Sequence, residues 1–390
     1  MAPQRLPRTE LPTDRLRLRA FTAADAEQVL IACTDPVTLR WLALPRPFTL
    51  ELAREYCTAY SPRLYETGGA CWAASCARTG RLAGSFDLKP RTPDVFEIGY
   101  WVAPWARGQG LATEAVRAIT GWALRQQGAR RIELRAAVGN VASQLVAERA
   151  GFTPEGVLRD GLDRADGLTD AVVYGLTRAD LDRADGPHPR FAPATVVSQR
   201  LELRPPREND RAGLIELFNH PGSLRWLTTP RPYTAAEAER WITRSTPASR
   251  AMGTGIHWVI QSRSTDDAEA TAGPDGFVGT VGLIRPVWEY GQVEVGYALH
   301  PAARGAGHAT EAVRAATAWA LAHPLLERVE LVAAVENTAS RRVAERAGYT
   351  LEGVKRLAGR TADGTRLDCA LYAAVSTDPV AGAGSGPDSA

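Results

Sequence analysis

Along this 390-residue chain the apolar residues change period repeatedly, and they do so twice in the same order. Leu16 and Leu18 alternate with arginines, and Leu201 and Leu203 alternate with Glu202 and Arg204. A period of two predicts short, half-buried strands. Ala26, Val29 and Leu30, then Leu214, Leu217 and Phe218, recur at helical spacing and predict amphipathic helices. A second helix is expected in each half, for example over Ala235–Ile242, followed by strands around Trp72 and Gly84 and around Trp258 and Gly279. Further strands start at Glu97 and Glu294, and helices are expected over Ala112–Gln126 and Ala309–Ala322. β-Branched runs from Arg131 and Arg328 read as strands, and Ala142–Ala150 and Ala339–Ala347 as helices stopped by Gly151 and Gly348. Strands interleaved with helices predict the α/β class, with an α+β mixed sheet in each half.

The repetition extends to the letters. Residues 97–118 (EIGYWVAPWARGQGLATEAVRA) and 294–315 (EVGYALHPAARGAGHATEAVRA) are identical at 15 of 22 positions. Internal self-similarity at this level means a duplicated unit. Arg15-LRLR matches Arg200-LELR, and Arg40-WLALPRPFT matches Arg225-WLTTPRPYT, at an offset of 185; by Glu294 the offset is 197. The second copy therefore carries about a dozen extra residues, for which the polar, turn-rich stretch 262–276 is the candidate surface loop. The expected organisation is a domain at 12–182, a linker at 183–198 with three prolines and a glycine, a second domain at 199–377, and a low-complexity, disordered tail at 378–390.

Composition narrows the function classes. The hydrophobic fraction is 45% and the charged fraction 23%, as in ordinary globular domains. No apolar run approaches the ~20 residues of a membrane span. The polar N-terminus lacks the apolar core of a secretory signal, so a cytoplasmic location and no membrane partner are expected. A net charge of +2 gives no reason to expect a nucleic-acid partner. The cations are almost all arginine, with Lys89 and Lys355 the only lysines. The five cysteines and six histidines form no zinc-like spacing and no HExxH, so no metal is expected.

The duplicated sentence carries chemistry. Arg107-GQGLA-Ala112 and Arg304-GAGHA-Ala309 read Arg-x-x-Gly-x-Ala at a strand-to-helix turn. They lack the GKS or GKT of a Walker loop and the third glycine of a dinucleotide fingerprint. Glycines let the backbone turn sharply and approach a ligand closely. The helix that follows has no Ser, Thr, Asp or Asn cap, so its first amides face an anion such as a pyrophosphate, with Arg107 or Arg304 nearby.

These residues resemble the GNAT superfamily of acyl-CoA-dependent N-acetyltransferases, in particular its RimJ/RimL-type branch. The likeness covers about residues 12–182 and 198–377. Its carriers include Asn140-VASQLVAERAGF and Asn337-TASRRVAERAGY, which share nine of 13 residues. The resemblance implies acetyl-CoA as acyl donor. Its pyrophosphate would lie on the amides of Arg107, Gly108, Gln109, Gly110, Leu111 and Ala112, and of Arg304, Gly305, Ala306, Gly307, His308 and Ala309. It implies that Trp101 and Val102, and Ala298 and Leu299, pair with the pantetheine arm, and that Asn140, Ser143, Asn337 and Ser340 contact the cofactor. Helix N-capping is the alternative for these Asn and Ser residues.

Glu97 and Glu294 occupy the place of the glutamate that acts as general base in several members of the superfamily. An ammonium acceptor must lose a proton before it attacks a thioester. The alternative for each is a strand-surface glutamate paired with an arginine. Where many members carry a tyrosine acid, this chain has Ala147 and Ala344, so no side chain is assigned that role. Trp41, Arg46, Trp226 and Arg231 are candidates for the acceptor wall, with a structural loop as the alternative. The expected reaction is direct transfer of an acetyl group to a primary amine, on a protein N-terminus or a small molecule, in a ternary complex. The rival readings are another donor (a longer acyl-CoA or an aminoacyl-tRNA) and a non-catalytic acyl-CoA-binding module. Both halves keep the glutamate, loop, Asn and Ser, so the tandem is expected to reproduce a homodimer within a single chain, compatible with a monomer.

Overall fold

The computed structural model describes residues 5–164, 167–183, 188–263, 272–361 and 364–378. The chain divides into two compact units, Met1–His188 and Pro189–Ala390. The first unit has strands β1 (Leu11–Pro12), β2 (Leu16–Arg19), β3 (Ala70–Cys76), β4 (Leu82–Thr92), β5 (Val95–Val102), β6 (Arg131–Ala137), β7 (Thr153–Arg164) and β8 (Gly167–Thr177). They form one sheet in the order β1-β2-β3-β4-β5-β6-β8-β7. The second unit repeats the plan with β9 (Val196–Val197), β10 (Leu201–Arg204), β11 (Gly255–Ser262), β12 (Phe277–Val287), β13 (Gln292–Leu299), β14 (Arg328–Ala334), β15 (Thr350–Arg360) and β16 (Arg366–Val375). Its sheet order is β15-β16-β14-β13-β12-β11-β10-β9.

Neighbouring strands are antiparallel except β5 with β6 and β13 with β14, which run parallel. A parallel pair needs a crossover. The helices Leu111–Gln126 and His308–Leu321 supply it. The first of these buries Leu111, Val116, Ile119 and Trp122 at helical spacing, so one of its faces is committed to the core. β3 is buried along nearly its whole length, which requires cover on both faces of the sheet. Trp72 and Trp258 anchor the two cores: both are fully buried and meet Trp122 and Trp319 edge-on at 5.5 and 5.1 Å. Their indole N–H groups donate to the carbonyls of Thr9 and Ala194, so neither polar edge is left unsatisfied.

The helices begin one residue before the expected positions and end within one residue of them: Leu111–Gln126, Val141–Arg149, His308–Leu321 and Thr338–Ala347. Gly151 and Gly348 take φ of +93° and +92°, the left-handed conformation of a helix terminator. The stretch read as a linker, 183–198, is more than a connector. Its second half belongs to the second unit, where Phe191 is fully buried against Trp288 and Trp319 and β9 pairs with β10. Leu6 and β1 do the same in the first unit. These segments are too short to show a period, and the prolines around Phe191 dominate the sequence pattern. Most of the expected insertion loop and the tail beyond Asp378 lie outside the described residues.

Candidate functional site

The parallel ladder between β5 and β6 has three rungs, Val95↔Arg131, Phe96↔Ile132 and Glu97↔Glu133, and then stops. β5 continues to Val102, still paired with β4 as far as Gly84↔Val102. From Ile98 to Val102, therefore, one edge of β5 is laddered and the other is open. The second unit has the same geometry, with rungs Gln292↔Arg328, Val293↔Val329 and Glu294↔Glu330 and an open edge on β13 up to Leu299. Glu97 and Glu294 thus stand on the last rung, at the vertex of a V between diverging strands. Unpaired strand amides beside a cleft are groups an extended ligand can satisfy.

In the first unit the V opens into a cavity of about 570 Å³, within the usual range for small-molecule sites. Of the residues proposed from the sequence, Glu97, Trp101, Val102, Arg107, Gly108, Gly110, Leu111, Ala112, Asn140, Ser143 and Trp41 line it. Gln109 and Arg46 do not. Gln109 turns its amide to the Trp105 carbonyl at 2.9 Å, and Arg46 donates to the Leu39 carbonyl at 3.0 Å. Arg231 likewise donates to the carbonyl of Leu224. Both arginines close their own segment. The Trp41 ring carries the Arg40 and Arg164 guanidinium groups at 4.9 and 5.1 Å, and Trp226 carries Arg225 at 4.6 Å.

The loop has the shape of an anion cradle. Gly108 and Gly110 take φ of +74° and +75°, and Gly305 and Gly307 +85° and +84°, values that favour glycine. A Cβ at Gly108 or Gly305 would meet nothing within 4 Å, so the loop is open on that side. Gly110 and Gly307 occupy the helix caps and supply no side-chain acceptor, leaving the first helical amides aimed outward. From behind, Arg15 donates to the Gln109 carbonyl at 2.8 Å and pairs with Glu114 at 2.6 Å. Arg200 repeats this with the Ala306 carbonyl at 3.0 Å and Glu311 at 2.7 Å.

The loop arginine turns away from the cradle. Arg107 reaches the Asp35 carboxylate at 2.6 Å, the Thr38 hydroxyl at 2.7 Å and the Val102 carbonyl at 3.2 Å. Arg304 reaches the Ser223 hydroxyl at 2.7 Å and the Leu299 carbonyl at 3.1 Å. The sequence had placed both side chains beside the anion. Asn140 and Asn337 accept from the amides of Ser143 and Ser340 at 3.1 Å, as helix caps. The Ser143 hydroxyl meets the Tyr100 hydroxyl at 2.7 Å, and Ser340 meets Tyr297 at 3.0 Å.

The vertices differ in charge. Glu97 lies 3.5 Å from Arg91 and 3.7 Å from Arg135, and Lys89 pairs with it from β4. Lys89 in turn sits 3.5 Å from Asp87, whose carboxyl burial pushes above its ordinary range. In the second unit Ile284 faces Glu294, and Val332 stands where the first unit has Arg135. Burial pushes the Glu294 carboxyl above the ordinary glutamate range, with Arg285 as the opposing ion pair and Glu330 reinforcing the rise. His308, in the place of Leu111, is buried; its Nδ1 has no hydrogen-bond partner among the described residues, and burial lowers its proton affinity.

Sequence reasoning missed Asp35, Thr38, Lys89, Arg135 and Tyr100. Lys89 had a signal in its rarity: each of the chain's two lysines lies at a vertex, with Lys355 3.9 Å from Glu330. Asp35 before Pro36 had the signal of a helix cap. The other three are placed by tertiary register, which the sequence pattern does not carry.

No described helix is long and apolar enough to cross a membrane. Among the described residues, no group of His, Cys, Asp and Glu is arranged to hold a metal ion.

Comparison with known proteins adds to this geometry. The family profile described as acetyltransferase (GNAT) domain matches residues 15–153 and 200–350. YdaF of Bacillus subtilis, whose name assigns it provisionally to ribosomal N-acetylation, is 42% identical over 82 residues, which is 21% of this chain and 45% of that protein. YoaA of the same organism, named an uncharacterized N-acetyltransferase, is 27% identical over 170 residues, 43% of this chain and 96% of that protein. Among solved structures, Mycobacterium smegmatis RimJ in complex with CoA-disulfide is 23% identical, covering 47% of this chain and 88% of that one, with a TM-score of 0.41.

Proposed function

The chain belongs to the acetyltransferase (GNAT) domain family and carries that domain twice, and on that premise we propose that each unit transfers an acetyl group from acetyl-CoA to a primary amine. The observation that carries the reading is the last rung of the parallel ladder. It sets a glutamate at the start of an open strand edge that leads into an uncapped, glycine-turned helix.

The residues fit the donor. The cradle amides from Arg107 to Ala112, and from Arg304 to Ala309, suit a pyrophosphate, and the open edges of β5 and β13 suit the amide-bearing pantetheine arm. When bound, acetyl-CoA supplies the activated acyl group. Strand amides at the V would polarise its carbonyl oxygen. Glu97 or Glu294 takes a proton from the acceptor ammonium, directly or through water, and frees the nitrogen lone pair. The C–N bond forms as the C–S bond breaks; the nitrogen gives up its second proton to solvent as the amide forms, and the CoA sulfur leaves as a thiolate that takes a proton from solvent. The names of YdaF and YoaA support an amine acceptor, and the ribosomal assignment in the former makes protein amines the first class to try.

The test begins with thermal unfolding of the full chain with acetyl-CoA and with CoA, then follows thiol release over a panel of N-terminal peptides and small amines. Stabilisation by both, and amine-dependent thiol release, are expected. No stabilisation by either removes the reading. Stabilisation with no thiol release from any amine favours the binding module instead.

A further inference from the structure

The loop arginine of the first unit is bound up in a contact that a phosphate cradle does not need. Its guanidinium bridges three elements: its own loop, the end of β5 through the Val102 carbonyl, and the start of the helix Pro36–Trp41 through Asp35 and Thr38. Asp35 is the cap of that helix, and the oxygen that receives Arg107 also accepts from the Thr38 amide at 2.9 Å. The Asp35 carboxyl, although pushed up by burial, is held below its ordinary range by Arg107 and Thr38. A charge-assisted bond of this kind is among the stronger polar contacts a protein makes. The capped helix carries Val37, Thr38 and Trp41 into the wall of the cavity. The donor loop and this wall are therefore joined by one side chain.

We propose that Arg107 is a positioning residue that couples occupancy of the donor loop to the placement of the Pro36–Trp41 acceptor wall, rather than a ligand of the donor's phosphates. The second unit shows what the coupling looks like without its carboxylate. Asp35 is replaced by His220, and Arg304 holds the wall through the neutral Ser223 hydroxyl, with the His220 ring at 3.4 Å. Coupling there is weaker. The inference rests on the proposed donor site, so its test reads the two separately.

The experiment is peptide-resolved hydrogen exchange on the full chain, with and without CoA, for wild type, Arg107→Ala, Arg107→Lys and Asp35→Asn. In wild type, CoA slows exchange both in the loop, residues 107–113, and in the wall, residues 36–43, the latter roughly tenfold. In Arg107→Ala the loop keeps its CoA protection and the wall's CoA-dependent change falls to near none; Arg107→Lys restores part of it, and Asp35→Asn, neutral as Ser223 is, keeps the loop protection and lowers the wall's change by at least half. Residues 221–227 in the second unit change less than 36–43 in every variant. The inference is overturned if Arg107→Ala abolishes loop protection, because the side chain is then a phosphate ligand. It is also overturned if the wall responds to CoA as strongly in Arg107→Ala as in wild type. Absence of loop protection in wild type would instead remove the donor site itself. A variant that exchanges throughout without CoA has lost its fold, and Asp35→Asn, which keeps shape and hydrogen-bonding capacity, then decides.

Discussion

Glu97 and Glu294 close the same rung of the same fold, and their surroundings diverge within one residue. Glu97 is flanked by Arg91 and Arg135 and faces Lys89. Glu294 has Arg285, faces Ile284, and has Val332 in the place of Arg135. Behind the loops the two units agree almost atom for atom: Arg15–Glu114 against Arg200–Glu311, and Asn140–Ser143 against Asn337–Ser340. Duplication has kept the backing of the glycine loop and let the charges around the vertex drift. A cradle made of backbone amides tolerates little change, whereas charges around a carboxylate can be exchanged without moving the sheet. A carboxyl held above its ordinary range is the better proton acceptor, which suits Glu294 to the base role proposed for it.

The largest effect should come from the bases themselves. The double variant Glu97→Gln, Glu294→Gln is expected to lower thiol release roughly 10²–10⁴-fold. Singly, Glu294→Gln should remove the greater share; equal losses would break the asymmetry. The structural sameness is checked at the cores. Trp72→Ala and Trp258→Ala, each fully buried, should cost about 3–5 kcal/mol each in denaturant unfolding. Similar losses sharpen the comparison, and a wide gap would show that the cores have diverged as well.

Smaller effects test the electrostatics. In a Glu97→Gln background the acidic limb of the rate profile belongs to Glu294. Val332→Arg should move that limb down by roughly one pH unit or more. A limb that stays in place would mean that the missing arginine is not what separates the vertices. The smallest effect concerns stability. Because the folded-state pKa of Glu294 is raised, its protonated folded form is favoured: the stabilising contribution is present below the unfolded pKa and is lost as pH rises through the folded one. Glu294→Gln should therefore unfold later than wild type at pH 7, by on the order of 1 kcal/mol, and lose that advantage near pH 4.

Much of this was legible in the letters. Helix positions, the terminating Gly151 and Gly348 and the glycine turns follow from local pattern, because period, capping and positive φ are properties of a few neighbouring residues; Glu97 and Glu294 were singled out by the family resemblance instead. Phe191 and β9 were hidden, because a single buried ring among prolines has no periodicity. The direction of Arg107 was hidden for another reason: Asp35 lies 72 positions away, and only the fold brings them together. The charge around Glu97 was partly hidden, since Lys89 and Arg135 come from different strands and meet through register alone.

On the proposed reading both units keep a working donor cradle, while the charges around their glutamates have diverged. Calorimetric titration of the full chain with CoA tests it most directly, repeated on Gly110→Val and Gly307→Val, whose left-handed caps a β-branched residue cannot adopt without strain. Wild type is expected to bind two equivalents and each variant one. One equivalent in wild type, abolished by one variant and untouched by the other, would contradict that reading.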